Sequence, residues 1–374
     1  MKSVLLSFSR KEALYVVSAI FSVTAGLGTA RQVCGQTNGY TVTDLSADDT
    51  TQVPCKLNNL GDLVGRALGA VDAQPRATFW TRSKLVKKHL GVFAGGDYSS
   101  ASGINDSGEV TGVSNTGTEI VPFLWTATAG LKRVPLLPGD NCGQASGINR
   151  YGHVVGYSSG PNGERAFLWT RKMGVRDLGV LPGGNYSRAR DLNDADDVVG
   201  MSASSAGERA VLWTKTGNAR DLGTLPGDTS SQATAINNAG DVVGYSKGPR
   251  GMHAFRWTQA NGMQDLGVLP GGSSSRALAI NDSSVVVGSS ASSSGDHAFV
   301  WTREAGMIDL NNTTSANLGV LLIEANAINS RGQIIVLGGS AHEGGMGDIP
   351  GSGGRQICAP APPATFLLTP TTTR

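Results

Sequence analysis

Charge is scarce in this 374-residue chain: Asp, Glu, Lys and Arg make up 16 % of it, well below the ~25 % usual for a soluble domain. The formal balance is only +2. The densest basic cluster, Lys84 with Lys87 and Lys88, reads as a solvated edge strand. Nothing here would track a phosphate backbone or an anionic lipid surface, so neither is expected as a partner. Cysteine is limited to Cys34, Cys55, Cys142 and Cys358, and histidine to His89, His153, His253, His297 and His342. None of the cysteine spacings is a short metal-type pair and no H-x-x-H pattern occurs, so no zinc site and no cofactor is expected. Serine is plentiful, but no G-x-S-x-G elbow is expected to mark one as a nucleophile. Long helical patterns are missing too. The extended apolar run from Ala13 to Leu27 is shorter than the ~20 residues a membrane-spanning helix needs.

That run has the setting of a secretory leader. Lys2, Arg10 and Lys11 flank it with positive charge, and Gly28-Thr29-Ala30 supplies small residues for cleavage. Residues 1–30 are therefore expected to be a signal peptide, and the protein to be secreted, extracellular or periplasmic. Arg31-Gln32-Val33 before Cys34 has the wrong residue types for a lipidation box. Loss of the leader removes three positive charges against Glu12 and leaves the remainder near neutral. An exported chain with four cysteines permits two disulfides.

What the sequence does have is glycine, 52 of them, and a repeat. All six tryptophans, Trp80, Trp125, Trp169, Trp213, Trp257 and Trp301, stand 44 or 45 residues apart. Segments such as Ala254-Phe255-Arg256-Trp257-Thr258 surround them, and Ala364 to Thr369 is a degenerate seventh copy with Leu368 in the Trp place. An asparagine recurs in step: Asn58, Asn105, Asn149, Asn193, Asn237, Asn281 and Asn329. A third motif, Asp-Leu-Gly followed by Leu-Pro-Gly, recurs as at Asp221 to Gly227. Each unit therefore holds four short strands; in the fifth they are expected at about 232–237, 241–246, 253–258 and 263–269. Asn237-Asn238-Ala239-Gly240 joins the first two by a tight turn, which makes the asparagine structural before anything else.

Four antiparallel strands in roughly 44 residues match one propeller blade. A β-solenoid usually repeats at shorter periods and needs capping ends. The residue four before the asparagine is Ala101, Ala145, Ala189, Ala233, Ala277 or Ala325, and the residue two before is Gly103, Gly147, Ala235, Ala279 or Ala327, with Lys56 and Asp191 as exceptions. Small side chains suit inner strands that crowd an axis, whereas the tryptophan suits the wider outer gap.

These motifs resemble the HAF repeat family of extracellular bacterial proteins. The His-Ala-Phe tripeptide is intact at His253-Ala254-Phe255 and His297-Ala298-Phe299, and reduced at Arg165-Ala166-Phe167, Arg209-Ala210-Val211 and Val121-Pro122-Phe123. The resemblance covers about residues 40 to 370. It implies export and repeat architecture, and it implies no activity.

The expected fold is all-β: a seven-bladed β-propeller of four-stranded antiparallel blades over residues 40–370. The ring is expected to close by strand 40–45 pairing with strand 364–369, because the first unit is preceded by a fourth strand and the last lacks one. Residues 31–39 read as a linker, 339–363 as a Gly- and Pro-rich surface insertion, and 371–374 as a disordered tail. In that topology Cys55 follows a fourth strand and Cys358 precedes the third strand beside it, so the two are expected to form a disulfide. Asp194, Asp196 and Asp197 share one turn and could begin a hard-cation site, but an ordinary solvated turn is the expected reading and no metal is expected. Charges that interrupt the small inner strands, Lys56, Arg188, Arg190, Asp191, Arg276 and Glu324, mark a candidate ligand site at the channel mouth. Function then reads as a monomeric secreted binding or scaffold module for a glycan, peptide or surface partner. The alternative is an extracellular lyase or hydrolase with its active site at the channel mouth. Propellers host both.

Overall fold

The computed structural model describes residues 32–33, 39–46, 52–69, 74–314, 318–339 and 364–371. The chain is an all-β propeller with four-stranded antiparallel blades. The fifth unit shows the pattern. Its strands Ser230–Ile236, Val242–Gly248, Gly251–Thr258 and Gly262–Asp265 pair in chain order, each antiparallel to the last. Asn237 leaves the first strand to make the turn. The fourth ends early because the chain peels away after Leu266, whose N–H still reaches the Ala254 carbonyl at 2.9 Å.

The recurring asparagine explains the turn and more. Asn237 Oδ1 accepts from the N–H groups of Ala239 and Asp241 at 3.1 and 2.9 Å. Gly240 N donates to the Asn237 carbonyl with φ at +82°, a conformation that costs glycine nothing. The Asn237 Nδ2 then crosses to the next unit and donates to the Asn281 carbonyl at 3.1 Å. The same bond runs from Asn58 to Asn105, Asn149, Asn193, Asn237, Asn281 and Asn329, and from Asn329 back to Asn58, at 3.0–3.4 Å. Seven buried side chains thus form one cycle.

Inner strands meet their partners across a β-bulge just after the recurring alanine, as between Ala233 and Ala235. A glycine of the second strand stands opposite. A Cβ on Gly244 would lie 2.0 Å from the Gln232 carbonyl oxygen and 2.9 Å from Ala233 Cα, so no larger residue fits. Between units the apolar side chains collect into seven cores, each drawn mainly from two consecutive units. Leu222, Leu225 and Leu212 of the fourth unit, for example, pack on Phe255 and Trp257 of the fifth. Leu63, Ala67 and Trp80 of the first unit pack with Ala327 and Ile335 of the last. Phe123, Phe167, Phe255 and Phe299 are wholly buried, as is Trp213, whereas Trp169 and Trp301 are only partly so.

Among the described residues, hydrogen bonding groups these units into six sheets rather than the seven separate ones expected. The second and third units share an eight-stranded sheet through a single parallel bridge between Cys142 and Ile120. The last unit is five-stranded. Leu321–Ile328, Ile334–Gly339 and Ala364–Pro370 pair in order. Tyr40–Asp44 adds antiparallel to them, in register from Tyr40 with Pro370 to Asp44 with Phe366. Gln32–Val33 adds a fifth strand, within the span expected to be a linker. Gly339 belongs to a strand, so the expected insertion starts one residue later. Thr371 N donates to the Gly39 carbonyl at 3.0 Å, so the tail is held at its first residue. The leader, residues 340–363 and residues 372–374 lie outside the described residues. Among the described residues no helix is long and apolar enough to cross a membrane.

Two stability outcomes follow. Asn237→Ala strands two backbone N–H groups and one buried carbonyl, and should cost about 3 kcal/mol in denaturant titration; Asn237→Asp keeps the Oδ acceptor and should cost less. Removing residues 39–46 takes away buried Val42 and Leu45 together with a whole strand. The melting temperature should fall sharply, whereas shortening 341–356 should barely change it.

Candidate functional site

The inner strands converge on a cavity of about 140 Å³. Gly103, Gly147, Ala235, Ala279 and Ala327 leave that space, and Lys56, Arg190 and Asp191 enter it. Asp191 is held by two backbone donors, Leu192 N at 2.9 Å and Ile236 N at 3.1 Å. Burial pushes its carboxyl above the ordinary value, against the pull of Lys56 and of those two hydrogen bonds. Enclosure on the axis draws the Arg190 guanidinium below its ordinary value, partly countered by Tyr245. Arg190 occupies a place where other units carry a hydroxyl. Ser102, Ser146 and Thr234 each donate there to an alanine carbonyl of the next unit, at 2.7, 3.0 and 2.8 Å.

A second group gathers around Arg188, two residues before Arg190 on the same strand and on the order of 15 Å from the asparagine cycle along it. Arg188 is 6 % exposed. Its Nε donates to Glu164 of the preceding unit, and its guanidinium stands 5.0 Å over the Tyr157 ring. Glu208 accepts from Tyr186 Oη at 2.8 Å and from Gln232 Nε2 of the next unit at 2.6 Å. Burial, and then the bond to Glu208, push the Tyr186 hydroxyl up to about 12. Farther round, Arg276 Nη2 donates to Glu324 of the last unit at 2.7 Å, and its Nε to Ser289 Oγ at 2.9 Å.

The candidates Arg188, Arg190, Asp191, Arg276 and Glu324 therefore do not share one pocket. Arg190 and Asp191 line the axis with Lys56. Arg188 joins a cluster of carboxylates and phenols, and Arg276 pairs with Glu324 across a seam. The strand pleat and the bulge divide them, turning neighbouring side chains to different sides. Glu164, Glu208, Tyr157, Tyr186 and Gln232 complete the cluster and were not singled out from the sequence. Their signal was the Gly-Glu-Arg spelling at Gly163 and Gly207, where later units read Gly251-Met252-His253 and Gly295-Asp296-His297.

Other expectations are corrected. Asp194, Asp196 and Asp197 do not converge. Asp194 accepts from Arg150 N at 3.2 Å, and Asp196 from Asn149 Nδ2 at 3.1 Å and His153 Nδ1 at 2.7 Å. Asp197 faces Asn193, its own turn asparagine. Asp196 also takes the positive φ that glycine holds in other turns. Among the described residues no group of three His, Cys, Asp or Glu could hold a metal ion. Cys55 lies in the inner strand Val53–Leu57, the strand after Tyr40–Asp44, and its Sγ donates to the Ala101 carbonyl at 3.5 Å. Cys358, its expected partner, lies outside the described residues. His253 and His297 each meet an aspartate of the adjoining strand through Nδ1, Asp265 at 2.9 Å and Asp309 at 2.6 Å. Gly156 to Gly160 and Gly244 to Gly248 spell G-x-S-x-G, but both lie within second strands. Ser158 and Ser246 are buried there and accept from Leu137 N and Leu225 N, which pins the Leu-Pro-Gly loops.

Comparison with known proteins places the fold and nothing finer. No family model matches the chain, and no curated protein matches it. Among solved structures, virginiamycin B lyase from Staphylococcus aureus with quinupristin is similar at TM-score 0.53 and 10 % identity, over 88 % of this chain and 99 % of that one. An oligogalacturonate lyase in complex with manganese is similar at TM-score 0.53 and 14 % identity, over 92 % and 98 %. TolB from Acinetobacter baumannii is similar at TM-score 0.46 and 11 % identity, and this chain spans 63 % of its length. At such identities the likeness shows a β-propeller alone.

Proposed function

We propose that this chain is an exported binding module of the HAF repeat kind. Its seven repeat units close into a seven-bladed ring that recognises a polar extracellular ligand, a glycan or a peptide, at the axial end bearing Arg188. The ring reading is supported by the asparagine cycle returning from Asn329 to Asn58 and by the pairing of Tyr40–Asp44 with Ala364–Pro370.

The observation that carries the ligand reading is the cluster of Arg188, Glu164, Tyr157, Tyr186, Glu208 and Gln232. These polar side chains break the repeat at one place and are held by one another across two seams. Holding rotamer-rich side chains in place before a ligand arrives lowers the entropy lost on binding. Aromatic rings beside fixed donors and acceptors suit a sugar or peptide face. Proton transfer would need a group held in reserve, and here the carboxylates already accept from fixed donors. That favours recognition over a lyase or hydrolase at this mouth.

A glycan and peptide array should give a ligand whose binding weakens tenfold or more in Arg188→Ala and Glu208→Gln. Asp194→Asn, on the turn at the far end of the strand, should bind as the parent does. Equal binding by all of these proteins would refute the site. Tyr186 supplies a pH signature. A free tyrosine ionises near 10, and the folded one at about 12. The folded state thus holds its proton longer. The resulting stabilisation is complete below about pH 10 and is lost as pH rises through about 12. Denaturant midpoints should fall across that interval, and Tyr186→Phe should flatten the fall.

A further inference from the structure

Among the described residues two histidine–aspartate pairs join third and fourth strands, and one of them has an additional partner. In the fifth unit His253 meets Asp265 and the turn residue three positions before it is Arg250. The fourth unit puts Arg209 and Asp221 in these places, at 4.0 Å. In the sixth unit that turn residue is Ser294, and its Oγ lies 3.0 Å from His297 Nε2. His297 Nδ1 lies 2.6 Å from Asp309 Oδ2. Asp309 is itself fixed, since its Oδ1 accepts from Asn311 N and Asn311 Nδ2, both at 2.9 Å. His297 is 7 % exposed, whereas Ser294 stands in the open on the turn before strand Gly295–Thr302.

We propose that Ser294, His297 and Asp309 form a nucleophilic serine site that cleaves carboxylic esters. This goes beyond the binding reading and lies in a different unit from the Arg188 cluster. The chemistry follows from the order of the hydrogen bonds. An aspartate on Nδ1 keeps the imidazole proton there and leaves the Nε2 lone pair facing the serine hydroxyl. Ser294 Oγ attacks the acyl carbon as its proton passes to Nε2. The bond from that carbon to the alkoxy oxygen then breaks, and Nε2 returns the proton to the departing alcohol. Water repeats the two steps on the acyl-serine, releasing the carboxylic acid and restoring Ser294. Ser294 and His297 are the catalytic residues, and Asp309 is a positioning residue. Because the serine stands on an exposed turn, the fitting substrate is an unhindered ester such as a short acyl group on a sugar or an alcohol. The serine turn is held as well: Ser292 Oγ accepts from Ser294 N at 3.1 Å and donates to the Gly295 carbonyl at 2.9 Å.

The test uses the whole chain, a fluorophosphonate probe and p-nitrophenyl acetate. Mass spectrometry should place one phosphonyl group on Ser294. Ser294→Ala, an exposed change that leaves the core untouched, should abolish labelling. Ester turnover should fall about 100-fold or more in that variant. His253→Ala, in the pair without a serine, should label as the parent does. Asp309→Asn keeps an acceptor for Asn311 and should slow labelling; nitrogen NMR of His297 should show the Nδ1–H tautomer in the parent and its loss in that variant. An unlabelled parent, or label and turnover undiminished in Ser294→Ala, would overturn the proposal, and neither outcome touches the ligand site around Arg188.

Discussion

The bond from each asparagine Nδ2 to the carbonyl of the next asparagine is the constraint on which the rest of the molecule depends. It does two jobs with one side chain. The Oδ1 closes a local turn by accepting two N–H groups, and the Nδ2 fixes how far the neighbouring unit can swing. No other residue type offers an acceptor and a donor at that reach. Because these groups are buried, a missing partner would leave a desolvated polar atom, and the geometry of each turn is tied to the next. A parallel set at the following position, from Asn238 N to Asp282 and from Ser330 N to Asn59, reinforces the belt.

With that belt set, the inner strands have little freedom. The alanine packs in the seam, the residue after it reaches the next unit, and the residue after that faces the axis. Gly, Ala, Ser and Thr satisfy these places at low cost. Where larger polar groups intrude they cannot rotate away, and the frame forces them together. Asp191 then sits on the axis with its carboxyl raised, and Arg190 stands where Ser102, Ser146 and Thr234 carry a hydroxyl in other units. Arg188 is pressed against Tyr157 and Glu164. A rigid repeat thus turns single substitutions into positioned chemistry. Ser294 is another instance: a turn position held by arginine in the fifth unit becomes, in the sixth, the third member of a hydrogen-bonded chain.

Much of this was legible in the sequence because it repeats. Tryptophan recurring every 44 or 45 residues and asparagine every 44 to 48, with glycine in step, specify strands, turns and unit length. The same spacing implied that the opening strand serves the last unit, and Tyr40–Asp44 lies against Ala364–Pro370 in the structure. A turn needs only neighbours in the chain, so its chemistry can be read locally. The fate of Asp194, Asp196 and Asp197 could not, since two of the three bind groups more than forty residues away. Nor could the grouping of units into sheets, which one backbone bridge at Cys142 decides.

By itself, then, the sequence determined the four-stranded unit, its seven-fold recurrence and the small residues of the inner strand, because each rests on contacts inside one repeat or on periodicity along the chain. Only the tertiary structure decided which charges meet. Arg188 and Glu164, Glu208 and Gln232, and Arg276 and Glu324 each belong to different units. Their encounter depends on the angle between blades and on the bulge that turns each side chain, and neither quantity is written in the spacing of residues.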